Sequence, residues 1–196
     1  FEAEGRTMFE TVRNAKKKAQ NKLYFGHTLV LILNQNLAKT EDLGVLLDWF
    51  MRDGECRETM LVAISQEATA AEILKAADLD QKIAGIKLQE LMENDGKLTG
   101  STVGTELYEC FDSLNTPGKE LTLAALHLNR NEDKPLYETN GIAAFQGSRL
   151  VGYLSPQEAK YYLAVTNQLE GGVIAFSIEG GGRERASLEI HKCETQ

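Results

Sequence analysis

The chain has 196 residues, 42% of them hydrophobic and 26% charged, which is room for one ordinary domain or two small ones. Those fractions exclude a disordered or fibrous chain, and only 3 Pro and 3 Cys exclude a polyproline or disulfide-stapled scaffold. A net charge of -8 opposes general nucleic-acid binding, which needs a concentrated basic face.

Phe1 to Glu4 reads as the end of a strand. Thr7 followed by Glu10 forms a capping box, and Met8, Val12, Ala15 and Ala19 recur at helical spacing, so the pattern predicts a helix from residue 7 to about 21. Arg13, Lys16, Lys17, Lys18 and Lys22 give that helix a basic flank, suited to acidic lipid or an acidic partner. Gly26 interrupts the pattern, and Thr28 to Leu33 lacks polar alternation, as a strand covered on both sides does. The run Leu29 to Leu33 falls far short of the roughly 20 apolar residues that span a bilayer.

Thr40 is the expected N-cap of a helix carrying Leu43, Leu46, Leu47 and Phe50 on one face, with Gly54 as its stop. Thr59 to Ser65 reads as a second apolar strand. Thr69 and Glu72 form a capping box for a short helix, and Ile83, Ile86 and Leu91 mark another that ends before Gly96. This alternation is of βαβ type and favours a parallel or mixed sheet. The polar stretch Lys97 to Gly104 reads as a linker, so the expected domains are 1–100, mixed α/β and lacking its first strands, and 101–196.

Leu107, Tyr108, Phe111 and Leu114 predict a helix closed by Pro117-Gly118, with a strand from Leu121 to Leu128 after it. Strands at 136–146 and 149–154 flank Gln146-Gly147-Ser148, a hairpin-sized connection. Ser155-Pro156-Gln157-Glu158 places Ser at the N-cap, Pro at the first helical position and Glu reaching back, opening a helix to about Gln168. Strands 173–178 and 185–192 follow around Gly180-Gly181-Gly182. The second half thus reads as α+β with an antiparallel sheet, and the whole chain as α+β.

No catalytic constellation assembles from these residues. His27, His127 and His191 lack metal-ligand spacing; only His191 and Cys193 share a strand face, and two ligands are too few for zinc. Cys56, Cys110 and Cys193 are too far apart for a zinc or redox motif. There is no Gly-x-Ser-x-Gly elbow and no Walker loop, and Glu179-Gly180-Gly181-Gly182-Arg183 lies between strands rather than before a helix. The carboxylate pairs Glu41-Asp42, Glu106 with Glu109, Glu132-Asp133 and Glu184 with Glu189 are ordinary in an acidic surface. Trp49, Tyr153, Tyr161 and Tyr162 are expected in the core or at partner contacts. No cofactor and no enzymatic activity are expected.

Several motifs recur in an order that resembles a known family. Glu4-Gly5-Arg6-Thr7-Met8-Phe9-Glu10, Arg13-Asn14-Ala15, Leu23-Tyr24-Phe25-Gly26-His27 and Leu47-Asp48-Trp49-Phe50-Met51-Arg52-Asp53 resemble the Ger(x)C family. Leu107-Tyr108-Glu109, Ser113-Leu114, Pro117-Gly118-Lys119, Gly141-Ile142-Ala143-Ala144-Phe145, Leu150-Val151-Gly152-Tyr153-Leu154 and Gly171-Gly172-Val173-Ile174 continue the same order. Gly54 departs from the family, which more often has Pro after Arg-Asp.

The resemblance implies a non-catalytic C-subunit lipoprotein of a spore germinant receptor. Such a subunit is held on the outer surface of the spore inner membrane by a lipid on an N-terminal cysteine and works beside two integral membrane subunits in sensing small germinants such as amino acids or sugars. It also implies that this chain is a fragment, without the lipidated cysteine and a C-terminal domain; none of Cys56, Cys110 or Cys193 is that cysteine. The expected partner interface is Arg13, Lys16, Lys17, Lys18, Lys22, Tyr24, Phe25 and His27. The alternative is a module binding a small germinant between the two domains, near Gly100 to Gly104.

Overall fold

A computed structural model describes residues 2–19, 22–78, 83–130 and 136–168. The expected strands 173–178 and 185–192, the glycine turn between them, and Cys193 and His191 lie outside the described residues. In chain order the elements are α1 (Met8–Lys18), β1 (Val30–Asn34), α2 (Gln35–Thr40), α3 (Leu43–Arg52), β2 (Leu61–Ser65), α4 (Ala70–Asp78) and α5 (Ala84–Asn94). After a π-helical turn at Asp95–Thr99 come α6 (Leu107–Asn115), β3 (Thr122–Asn129), β4 (Leu136–Gln146), β5 (Arg149–Leu154) and α7 (Pro156–Gln168).

The described strands form one five-stranded sheet in the order β1-β2-β3-β4-β5. β1, β2 and β3 are parallel, with Val30 beside Leu61 and Ala63 beside Ala124. β4 and β5 add to it antiparallel. The architecture is α+β, with parallel βαβ-type pairing in the first half and antiparallel hairpins in the second. β2, before residue 100, pairs directly with β3, after it, so the Lys97–Gly104 segment joins elements of one sheet.

Helices cover both faces, and alternation along β2 divides its side chains between them. Val62 and Ile64 pack with Ala38, Leu43, Leu47, Phe50, Leu107 and Cys110 from α2, α3 and α6. Leu61 and Ala63 pack on the opposite face with Ile73, Leu88 and Met92 from α4 and α5. β2 is buried along its whole length, which is why its sequence shows no polar alternation. α7 closes a smaller cluster of Ile142, Leu154, Ala159 and Tyr162.

Local signals set most helix ends. Glu72 accepts the Thr69 N–H at 3.1 Å, and Glu158 accepts the Ser155 N–H at 2.8 Å. Two expectations are corrected, and one element is new. Glu2 to Glu4 form no strand. Thr40 ends α2 instead of opening the next helix; Asp42 caps α3, its Oδ1 accepting the Val45 N–H at 3.2 Å. And α2 itself, unforeseen, starts where the Asn34 carboxamide oxygen accepts the Asn36 N–H at 2.9 Å. Of the tyrosines, Tyr162 is buried, Tyr161 exposed, and Tyr153 half-buried with its hydroxyl on Gln35 at 3.2 Å.

Candidate partner interface

α1 opens as the sequence foretells, with Thr7 Oγ1 accepting the Glu10 N–H at 3.2 Å and the Glu10 carboxylate accepting the Arg6 N–H at 2.9 Å. Val12 is its one fully buried residue, and Met8 packs against the main core from the same side. The remaining circumference faces outward, and Lys16, Lys17 and Lys18 fall in the last turn, where cations complement the helix dipole. The Asn14 amide donates to the Glu4 carbonyl at 2.8 Å, folding the preceding residues back along the helix.

Two of the predicted interface residues converge on one acid, and two more lie against those two. Lys22 Nζ stands 3.4 Å from Glu55 Oε1, and Lys16 Nζ 3.9 Å from Glu55 Oε2, a buried oxygen with no hydrogen bond. Lys16 lies over the Phe25 ring at 5.5 Å and Lys22 over Tyr24 at 4.4 Å. The Tyr24 hydroxyl first, and Glu55 second, hold the Lys22 ammonium above its ordinary pKa. Phe25 then meets Trp49 edge-on at 5.3 Å, and Trp49 meets Phe50 at 5.0 Å, so residues 22–27 are pinned to α3 by aromatic packing.

Phe25 is therefore an internal anchor, half-buried, rather than a free contact. His27 is exposed with its Nδ1 3.5 Å from an Arg57 nitrogen. Lys18 turns to the other flank, its ammonium on the Glu2 carbonyl at 3.4 Å. Arg13 and Lys17 are exposed, with no ion-pair partner among the described residues. Three contributors escape a sequence reading: Glu55, Arg57 and the cleft beside α1. This cleft, about 870 Å³, lies between the start of α1 and α3 and is lined by Met8, Phe9, Leu37, Val45, Leu46 and Trp49 among others. Phe9 one helical turn before Arg13 is the signal that could have drawn attention to it.

The other residues weighed for chemistry have structural work. Glu106 and Glu109 make the capping box of α6, and burial, then the nearby Glu109 and Glu93, raises the Glu106 pKa. His127 pairs with Glu138 at 3.6 Å. Burial pushes the Cys56 thiol up to about 11 and the Cys110 thiol up to about 12, the opposite of nucleophile activation. Among the described residues no group of three or more His, Cys, Asp or Glu is placed to hold a metal ion, and no helix is long and apolar enough to cross a membrane. Glu132-Asp133, Glu184, Glu189 and the Glu179–Arg183 run lie outside the described residues. A second cleft, about 430 Å³, is lined by Glu93, Lys97, Gly100, Thr102, Gly104 and Glu109 among others.

Comparison with known proteins agrees with the order of motifs. The pattern of the spore germination protein N-terminal domain matches residues 1–128, and that of the spore germination B3/GerAC-like C-terminal region matches 140–196. Spore germination protein KC of Bacillus subtilis (strain 168) is 27% identical over 83% of this chain and 41% of its own length. Spore germination protein GerQC of Bacillus cereus is 21% identical over 100% of this chain and 53% of its own. Spore germination protein B3 of Bacillus subtilis (strain 168) is 23% identical over 98% and 50%. The chain thus spans about half the length of the curated relatives it matches. The crystal structure of the GerBC protein shares the fold, with a TM-score of 0.51 and 18% identity over 87% of this chain and 46% of that one.

Proposed function

The chain belongs to the Ger(x)C family of spore germination proteins, and from that membership we propose that it serves as a non-catalytic subunit of a spore germinant receptor. Its relatives are spore germination proteins. In this reading the whole protein works beside two integral membrane subunits at the outer surface of the spore inner membrane, held there by a lipid anchor. A single acyl chain binds membranes only marginally, so such an anchor needs a second contact. We assign that contact to the side carrying α1 and residues 22–27, with Arg13, Lys16, Lys17, Lys18, Lys22, Tyr24 and His27 on its surface and Phe25 anchoring the segment beneath them.

The observation that carries the proposal is the match of both family patterns, in order, across 1–128 and 140–196. The test is an in-frame deletion of the gene. Spores lacking the protein are expected to stop responding to at least one nutrient, and an affinity-tagged copy to recover two polytopic membrane proteins. A normal response to every nutrient overturns it.

The cleft at Gly100–Gly104 favours a second reading, a small-molecule binding module, because glycines there leave backbone open beside Glu93, Lys97 and Glu109. Calorimetry with amino acids, sugars and nucleosides separates the two readings. Binding tighter than millimolar that Gly104→Leu or Lys97→Glu abolishes supports the module; no heat with any of the panel removes it.

A further inference from the structure

We propose that one flank of α1 and the segment after it form a docking face for an anionic lipid surface; this names the membrane-side contact of the receptor reading and rests on it only for its biological setting. Phe9, Arg13, Lys16 and Lys17 stand at i, i+4, i+7 and i+8 of one helix, a single stripe flanking the side that Val12 buries. Phe9 is 61% exposed at the start of this stripe. Across the cleft that Phe9 lines stands Val45, 72% exposed, and beyond Lys16, past the shared Glu55, stands Tyr24, 66% exposed. Bulky apolar groups thus bracket the cations at both ends.

The charges on this face leave a positive surplus. Lys16 and Lys22 share the one carboxylate of Glu55, and Arg13 and Lys17 have no ion-pair partner among the described residues. Glu10 keeps its charge while accepting the Arg6 backbone N–H, Asp48 is paired with Arg52 at 2.7 Å, and Glu41 and Asp53 line the neighbouring cleft, so the surplus is that of Arg13, Lys16, Lys17 and Lys22 over Glu10 and Glu55. The chain as a whole carries -8, so its other surfaces are repelled by an anionic membrane while this face is drawn to it. The opposed fields fix the orientation as well as the attraction.

The composition selects lipid over a protein partner. Protein interfaces are depleted in Lys and gather their apolar groups in a central patch. Here lysines and an arginine occupy the centre and the apolar groups the ends. That is the arrangement of a surface that lays cations on phosphate headgroups and slips aromatic or aliphatic side chains between them.

The probe is flotation of this chain with phosphatidylcholine vesicles, with and without about one third phosphatidylglycerol, at about 0.1 M and about 0.5 M salt. Binding is expected only with phosphatidylglycerol and only at low salt. Arg13→Glu with Lys17→Glu is expected to weaken it by at least about tenfold, and Arg13→Gln with Lys17→Gln by less. Phe9→Ala with Tyr24→Ala is expected to weaken it while leaving the salt dependence intact. Circular dichroism and thermal unfolding on each variant check that it keeps the wild-type helix content and stability. Equal binding to both vesicle types, no binding to either, or unchanged binding of the charge-reversed variant overturns the proposal. If the charge-reversed variant loses recovery with membrane proteins while the wild-type chain binds no vesicle, the face meets protein, and the lipid assignment falls. If vesicle binding behaves as expected but spores lacking the gene germinate normally, the receptor reading falls and the lipid face stands.

Discussion

Gly141 of β4 lies against the carbonyl oxygen of Leu154 so closely that a Cβ at residue 141 would overlap it. Its φ of +77 is also one that side-chain-bearing residues rarely adopt. The reason is a bulge: Ala124 pairs with Ile142 and Leu126 with Thr139, so Asn140 and Gly141 together oppose Ala125.

Gly141→Ala is expected to lower unfolding free energy by at least about 2 kcal/mol, since backbone strain adds to a clash with backbone that cannot yield. Thr102 is buried and donates its hydroxyl to the Gly141 carbonyl at 3.0 Å, so Thr102→Val should cost about 1 kcal/mol at the same site. Urea unfolding of both variants checks this. A Gly141→Ala protein with the wild-type midpoint would show that the bulge is not held in solution.

Glu67 ties the loop after β2 to β3. Its Oε1 accepts the Leu128 N–H at 2.8 Å and its Oε2 meets Arg130 at 2.7 Å, while Arg130 also reaches Glu72 at 3.1 Å. Glu67→Ala should cost about 2 kcal/mol, the usual size for hydrogen bonds to a charged group. Glu67→Gln, which can still accept the N–H, should cost less. Equal losses in thermal unfolding would mean that the Leu128 contact contributes nothing.

Acid should weaken the junction between α3 and the β4–β5 hairpin. Asp42 Oδ2 accepts the Ser148 hydroxyl at 2.8 Å, and this bond, assisted by the backbone N–H groups of Val45 and Gly44, holds the Asp42 pKa below its ordinary value. A depressed carboxylate contributes stability above its unfolded pKa of about 4 and loses it as pH falls through the lower folded value. Asp42→Asn should therefore be less stable than wild type near neutrality and converge on it as pH falls through the folded value. A difference that is constant from neutrality to acid would remove the ionised carboxylate from the account.

Thiol chemistry should follow burial. Cys110 is buried and Cys56 half-buried, with thiols at about 12 and about 11 against an ordinary 9.0. In a Cys193→Ser variant, an aromatic disulfide reagent at about pH 8 should label Cys56 slowly and Cys110 only as the protein unfolds. Because folding raises both values, stability should fall as pH climbs from about 9 toward 11–12. Rapid labelling of Cys110 in the native protein would contradict its burial.

Elements that carry their own caps were legible from the sequence. Thr7 with Glu10, Thr69 with Glu72, and Ser155-Pro156 with Glu158 each satisfy helix-end donors within four residues, and the structure opens helices there. Gly147, with φ +56, turns the hairpin between β4 and β5 where the spacing placed it. α2 was less visible, because Gln35–Thr40 is too short for a helical period and depends on the Asn34 cap and on burial of Ala38. The basic residues of α1 were plain in the sequence, but which of them Glu55 engages was not.

By itself the sequence determined the α+β class, most helix starts, the basic flank of α1 and the family, since caps, hydrophobic periods and ordered motifs are written within a few neighbouring residues. Tertiary structure alone decided that β2 lies beside β3 across the polar stretch at 97–104, that Lys16 and Lys22 close on Glu55, and that Phe9 and Val45 face one cleft. Those pairings join residues tens of positions apart. They are selected by burial on both faces of a shared sheet, a condition that no local window of sequence contains.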